Sequence, residues 1–364
     1  MNRIRRSLTT TSAVLCIVVG GCSDGGESVD TSTTAAAPAS VQPVQLDVAS
    51  AFPTSLTLLG EAPVRLAENV RRASGGSIEL KVYEPGALVP GMESIQAASR
   101  GSVDAAWSAT GFFAGADSAF NIFSTVPFGP GIPEFLAWMY YGGGIELQNE
   151  LLAAHDLYAV PCSLIPPEAS GWFRREIKSV DDLKGLKMRF FGIGAKVMEK
   201  LGVSTQLLTP GDIFQALQLG TIDATEFSLP VLDLKLGFHQ VAKYYYFPGW
   251  HQQATFSALF VNLQRWNALA DSQRAMIEIA CGDMIRRTAA EGESAQWAAM
   301  QTLRDRHGVK IMRWPPEIMT AIEQAWEEVV AEESAANPNF RRVYASYSAF
   351  RENYAIWREH AYLQ

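Results

Sequence analysis

The hydrophobic pattern changes period repeatedly along the chain, and each change marks an element. VQLDVAS, from Val44, and SIELKVY, with Ile78, Leu80 and Val82 at every second position, predict strands. Between them, residues 55–74 carry apolar positions at helical spacing and stop at Gly75 and Gly76. MESIQAASRG predicts a short helix closed by Gly101, and SVDAAWSAT a buried strand. Residues 133–155 are aromatic and helix-compatible but interrupted by Gly142, Gly143 and Gly144; LYAVPCSL is the next strand.

The middle of the chain is the most regular part. Ser179 is an N-cap candidate, followed by strand LKMRFF, helix AKVMEKLG, strand VSTQLLT, helix PGDIFQALQLG with proline at its start, and strand TIDATEF. Units of about 15–20 residues are parallel crossovers, whose ligands sit at the carboxyl ends of the strands. Those ends carry Arg189 and Phe190, Thr209, and Glu226 and Phe227. Beyond Asp271 the pattern is helical over 271–305, 316–333 and 339–364, with one strand, VKIMRW, at 309–314. No fixed-period repeat supports a solenoid or propeller.

Composition narrows the classes. A length of 364 residues predicts two domains, three at most. Hydrophobic residues at 48% and charged residues at 19% exclude disorder and fibres. With 30 Lys plus Arg against 38 Asp plus Glu, the formal charge of -8 argues against nucleic acid or anionic lipid as a partner held by a basic face.

The amino terminus orders Arg3, Arg5 and Arg6, an apolar stretch at 13–19, and Gly20-Gly21-Cys22, as a secretory signal does. We expect a signal peptide over 1–21 and a flexible tether over 22–43, rich in Ser, Thr, Ala and Gly. Val19-Gly20-Gly21-Cys22 resembles a bacterial lipobox, in which Cys22 carries lipid; ordinary cleavage after Gly21 is the alternative. The expected location is the periplasm, lipid-anchored to a membrane. Loss of the leader removes three arginines and makes the chain more acidic. Cys162 and Cys281 remain in the body, as a disulfide or as buried thiols.

Catalytic motifs are missing. Gly192-Ile193-Gly194 begins a dinucleotide fingerprint, but Val197 occupies the third glycine position. There is no GxxxxGK[ST], HExxH or GxSxG, and His155, His239, His251, His307 and His360 lack metal-ligand spacing. Arg189, ending a buried strand, demands an anion, either an internal Asp or Glu or a carboxylate ligand suited to its planar fork. Glu226 poses the mirror problem: a paired structural carboxylate, or a ligand or metal contact.

The ordered segments GALVPGMESIQAASRGSVDAAWSATGFFAG, VPFG, SGWFRREIKSVDDLKGLKMR, LGVSTQLLTPGDIFQALQLGTIDATEFSLP and YYYFPGWHQQ are specific. From Val44 to the end the chain strongly resembles the extracytoplasmic solute-binding subunits of tripartite ATP-independent periplasmic (TRAP) transporters. The branch it resembles binds 2-oxo and 2-hydroxy monocarboxylates with a cation, and also holds binders of aromatic acids. The resemblance implies an α/β fold: a two-lobed periplasmic solute-binding protein with mixed sheets, a hinge cleft and a long connecting helix. One lobe would span 44–166 plus about 254–295, the other 167–253 plus about 296–338, with 339–364 a terminal helix able to make a homodimer contact.

Carried over by position, the resemblance makes Arg189 the carboxylate clamp. It places a cation, Na or Ca, on Glu226, the carbonyl of Phe227, a Glu after GWH and a Gln four residues before the Trp of GWF. This chain has Gln252 and Glu168 at the last two positions. The swap is reciprocal, so Glu168, Glu226 and Gln252 would keep the charge of an oxygen-lined cation site bridging to the ligand. A competing reading has Glu168 contact a hydroxyl or ammonium group of another solute without metal. Trp107, Phe112, Phe191 and Trp250 are candidate cleft walls, set against ordinary core for each.

The expected function is a non-catalytic receptor that captures a small organic monocarboxylate, without organic cofactor, and delivers it to membrane permease subunits driven by an ion gradient. The alternatives are a dicarboxylate or aromatic acid bound without metal, an exported enzyme on the same scaffold, or a partner of a sensor kinase. Arg189→Ala is expected to abolish most affinity and leave the fold intact.

Overall fold

The structure, a computed structural model, describes residues 42–362. The expected signal peptide, Cys22 and all but the end of the tether lie outside the described residues. The strands, in chain order, are β1 (Val44–Ser50), β2 (Ile78–Tyr83), β3 (Ala105–Ala109), β4 (Leu157–Ile165), β5 (Gly171–Phe173), β6 (Lys187–Arg189), β7 (Ser204–Gln206), β8 (Ala224–Thr225), β9 (Tyr244–Phe247), β10 (Thr255–Asn262) and β11 (Lys310–Arg313). They form two mixed sheets, ordered β2-β1-β3-β10-β4 and β11-β9-β5-β8-β6-β7. β10 runs antiparallel to both its neighbours, as β5 does to β8 and β9, and the remaining pairings are parallel.

Burial explains the order. Every residue of β3 and β10 is buried, as in interior strands covered on both faces. Edge strand β2 keeps the alternation that made it legible, with Ile78 and Leu80 inside. In the second sheet, helix Pro210–Leu219 starts on Pro210 and ends on Gly220 at φ 75°, so the chain turns sharply from β7 back to β8.

The chain passes between the sheets three times: through 166–170, through 248–254, and through helix Asp271–Gln301, which follows β10 and precedes β11. The two-lobed α/β fold with a long connecting helix is therefore the observed one. The helix expected over 55–74 begins only at Glu61. Before it the chain folds into turns, because Gly60 packs against Pro53 so closely that a Cβ would lie 1.7 Å from the Pro53 carbonyl oxygen. Cys162 and Cys281, whose state the sequence leaves open, form a disulfide between β4 and the long helix.

Candidate functional site

Two of the crossing segments are hydrogen-bonded side by side. The Glu168 amide donates to the Gln252 carbonyl (3.1 Å), the Gly249 amide to the Glu168 carbonyl (2.9 Å), and the Ser170 amide to the Tyr246 carbonyl (2.8 Å). Gly249 permits this approach, since a Cβ there would fall 2.2 Å from the Glu168 carbonyl oxygen. The pairing brings Glu168 and Gln252, far apart in sequence, into one buried place. Ser228 Oγ donates to Glu168 Oε1 at 2.8 Å, and Gln252 Nε2 donates to Thr255 Oγ1 at 2.7 Å.

The second sheet supplies the charged pair. Arg189 ends β6 opposite Thr225 of β8, so Glu226 comes next to it. Arg189 Nη1 donates to Glu226 Oε1 at 2.6 Å and to the Glu226 carbonyl at 2.8 Å, and the Phe191 amide also donates to Oε1, at 2.5 Å. The guanidinium lies 5.3 Å from the centroid of the Phe227 ring. Both side chains are fully enclosed. The internal ion pair is thus present, yet it engages one nitrogen: Nη2 makes no hydrogen bond among the described residues, and Arg189 also lines the cavity.

Three expected cation ligands each leave one oxygen unused. Glu168 Oε2, Glu226 Oε2 and Gln252 Oε1 are buried without a hydrogen-bond partner. Buried acceptors without donors are costly. A hard cation satisfies oxygens of this kind, so the residues present fit one. His251, absent from the expected set, stands beside them: its Nε2 is 3.4 Å from Glu226 Oε2, and ligand atoms of Glu168, Glu226 and His251 lie within 4.8 Å of one another. Burial, then the charge of Glu226, pushes the Glu168 carboxyl well above the usual range, against the Ser228 hydrogen bond. Burial acts on Glu226 in the same direction, but the Arg189 guanidinium, His251 and the Phe191 amide together hold it below the usual range. Glu168 is the carboxylate in need of a positive partner.

Glu168, Arg189 and Gln252, though neither Glu226 nor His251, open on a small cavity of about 30 Å³, whose lining also includes the polar Ser228, Thr255 and Ser257. Phe52, Leu59, Phe112, Ile165, Phe191 and Phe227 make up the apolar part of the lining. Phe112 and Phe191 meet across the two halves, ring centroids 4.4 Å apart, beside Gly111, where a Cβ would sit 2.7 Å from Phe191 Cζ.

Two of the four expected cleft walls are elsewhere. Trp107 is fully buried on β3, donating through Nε1 to the Leu59 carbonyl at 2.8 Å; it supports a wall residue and does not line the cavity. Trp250 packs on Phe190 and Phe128, with ring centroids 5.7 and 6.0 Å away, outside the lining. Phe52, Leu59 and Ser228 went unpredicted, and so did His251, although GWHQQ set it directly beside Gln252.

The sequence profile of the family described as bacterial extracellular solute-binding protein, family 7 (DctP), matches residues 49–337. A monocarboxylate 2-oxoacid-binding periplasmic protein of Nostoc sp. is 31% identical over 325 residues, 89% of this chain and 88% of that protein. A TRAP transporter solute-binding protein from Bordetella bronchiseptica has 34% identity and a TM-score of 0.85, over 87% of this chain and 94% of that one; its structure is a mixed-occupancy dimer with calcium and picolinate in one active site and the other apo. A TRAP periplasmic solute-binding protein from Pseudoalteromonas atlantica, with sodium and pyruvate bound, has 29% identity and a TM-score of 0.85, over 88% and 97% of the two chains.

Proposed function

The chain belongs to family 7 of the bacterial extracellular solute-binding proteins, and from that premise we propose that it is a TRAP receptor for a 2-oxo or 2-hydroxy monocarboxylate taken up together with a cation. The observation that carries this reading is the set of three unused oxygens on Glu168, Glu226 and Gln252 beside the uncommitted end of Arg189. Arg189 Nη2 receives the ligand carboxylate. Sodium or calcium held by Glu168, Glu226, Gln252 and the Phe227 carbonyl would supply positive charge for the ligand's oxygens.

The cavity favours one carboxylate over two. Arg189 and Glu168 are the charged side chains of its lining and most of the rest is apolar, so a second carboxylate would be desolvated without a cationic partner. The phenylalanines suit an alkyl or aryl substituent, which keeps an aromatic monocarboxylate within the same reading.

The cargo passes to membrane permease subunits, with the receptor in the periplasm and tethered through lipid on Cys22. No described helix is long and apolar enough to cross a membrane. The helix Pro338–Ala361 and its end expose Ile356, Trp357 and Tyr362, at 71%, 59% and 48%, a face suited to a second copy of the chain. Light scattering at the mass of one chain would reject the dimer.

Calorimetric titration with pyruvate, picolinate and succinate, in sodium, in calcium and after removal of both, tests the ligand assignment. We expect cation-dependent binding of a monocarboxylate and none of succinate. Affinity indifferent to both cations, or equal affinity for succinate, would reject it.

A further inference from the structure

Gly292 sits about two thirds of the way along the 31-residue helix Asp271–Gln301, well inside its ends, and is buried there. Glycine is the poorest helix former after proline, so its presence calls for a packing cause. A Cβ at this position would lie 2.6 Å from Pro166 Cδ and 2.8 Å from Pro166 Cγ. The proline ring is closed on its own backbone and cannot rotate aside.

The helix meets the end of β4 at every second strand residue. Cys281 is bonded to Cys162, Thr288 Oγ1 accepts from the Leu164 amide at 3.0 Å, and Gly292 abuts Pro166. The next residue in that series is Glu168. One helical turn beyond Gly292, Gln296 Oε1 accepts from the Val231 amide at 3.1 Å, and Leu229 Cδ1 is 3.8 Å from the Gly292 Cβ position. The same helix row therefore holds both the segment leading into Glu168 and the segment leaving Glu226.

We propose that Thr288, Gly292 and Gln296 form a positioning row that sets the separation of Glu168 from Glu226, with Gly292 fixing how closely the Glu168 segment approaches. Its consequence for affinity rests on the cation site proposed above; its mechanical part does not. The test compares Gly292→Ala, Pro166→Ala and the double variant by amide exchange without ligand, then by calcium-supported pyruvate titration. The informative amides are those of Glu168 and Ser170, which bond to the Gln252 and Tyr246 carbonyls.

Gly292→Ala should speed exchange at those two amides about tenfold relative to β1 and β3 and weaken pyruvate binding about tenfold, and the double variant should return both to within about threefold of wild type. General destabilisation would instead speed exchange throughout, β1 and β3 included. Unchanged exchange in Gly292→Ala, or a double variant no better than Gly292→Ala, would overturn the proposal. A wild-type protein that binds no monocarboxylate with either cation would reject the ligand assignment, while the exchange comparison would still decide the row.

Discussion

The side chains of Arg189 and Glu226 are joined through one nitrogen and one oxygen, Nη1 to Oε1 at 2.6 Å, which leaves Nη2 and Oε2 uncommitted in a fully buried pair. The pair belongs to the core as well as to the proposed binding site.

Arg189→Ala should therefore do more than remove the proposed ligand clamp. It would leave Glu226 buried without its cation, and breaking such a pair from one side costs about 3–5 kcal/mol. Contrary to an intact fold, which the sequence alone predicts for it, the variant should unfold at markedly lower denaturant and bind no detectable monocarboxylate. Arg189→Lys keeps the charge beside Glu226 but loses the fork, so stability should largely return while affinity stays down by about 1.5–3 kcal/mol. Urea unfolding and calorimetry on both variants check this; wild-type stability in Arg189→Ala would show that Glu226 has another counter-charge.

The reciprocal placement of Glu168 and Gln252 makes a second prediction. Glu168→Gln removes one of two carboxylates and should weaken calcium binding about tenfold or more, since ligand charge count tunes affinity. Gln252→Glu added to it restores two carboxylates, and the two segments are already paired through the Glu168 amide and the Gln252 carbonyl. Calcium affinity should recover in the double variant. A double variant as weak as Glu168→Gln would mean that positions 168 and 252 do not serve one ion.

What the sequence made legible follows from the range of the interaction responsible. Strands β1 and β2 were readable because alternation is local, and the need of Arg189 for an anion followed from its place at the end of an apolar strand. Its partner Glu226 was nameable only as a second isolated problem, because β6 and β8 become neighbours through the sheet. TIDATEF reads as a seven-residue strand, yet pairing holds only Ala224 and Thr225 in β8, where the chain must turn to bring Glu226 under Arg189. Aromatic identity could not separate Phe112, partly buried on the cavity, from Trp107, fully buried behind it, since an apolar ring is accommodated in either setting. His251 was invisible because its partners arrive from two other segments.

Asp233 makes a prediction about pH. Burial pushes its carboxyl up to about 7, outweighing hydrogen bonds from Trp172 Nε1 and Tyr245 Oη, both 2.8 Å from Oδ2. The folded value lies above the unfolded one of about 3.9, so between about pH 4 and 7 the folded protein binds more protons and stability falls as pH rises. Asp233→Asn keeps a carbonyl acceptor for both donors and cannot ionise. Its stability relative to wild type should improve from pH 5 to about pH 7 and level off above that in urea titrations, and a difference independent of pH would show that Asp233 titrates normally.

The Cys162–Cys281 bond spans 119 positions of sequence and ties β4 to the long helix. A cross-link of that length restricts the unfolded chain strongly, by about 5 kcal/mol in the loop-entropy account. Both sulfurs are fully buried, so reductant should act only on the unfolded protein, and reduction should proceed at the rate of unfolding. Cys162→Ala with Cys281→Ala should lower the denaturant midpoint and steepen the transition, because the freed unfolded chain exposes more surface. Monocarboxylate affinity at low denaturant should change little, since the Thr288 to Leu164 hydrogen bond and the Gly292 to Pro166 contact still register helix against strand. Equal midpoints with and without the pair would show that the two thiols stay unbonded in solution, and a large loss of affinity would assign the bond itself to positioning Glu168.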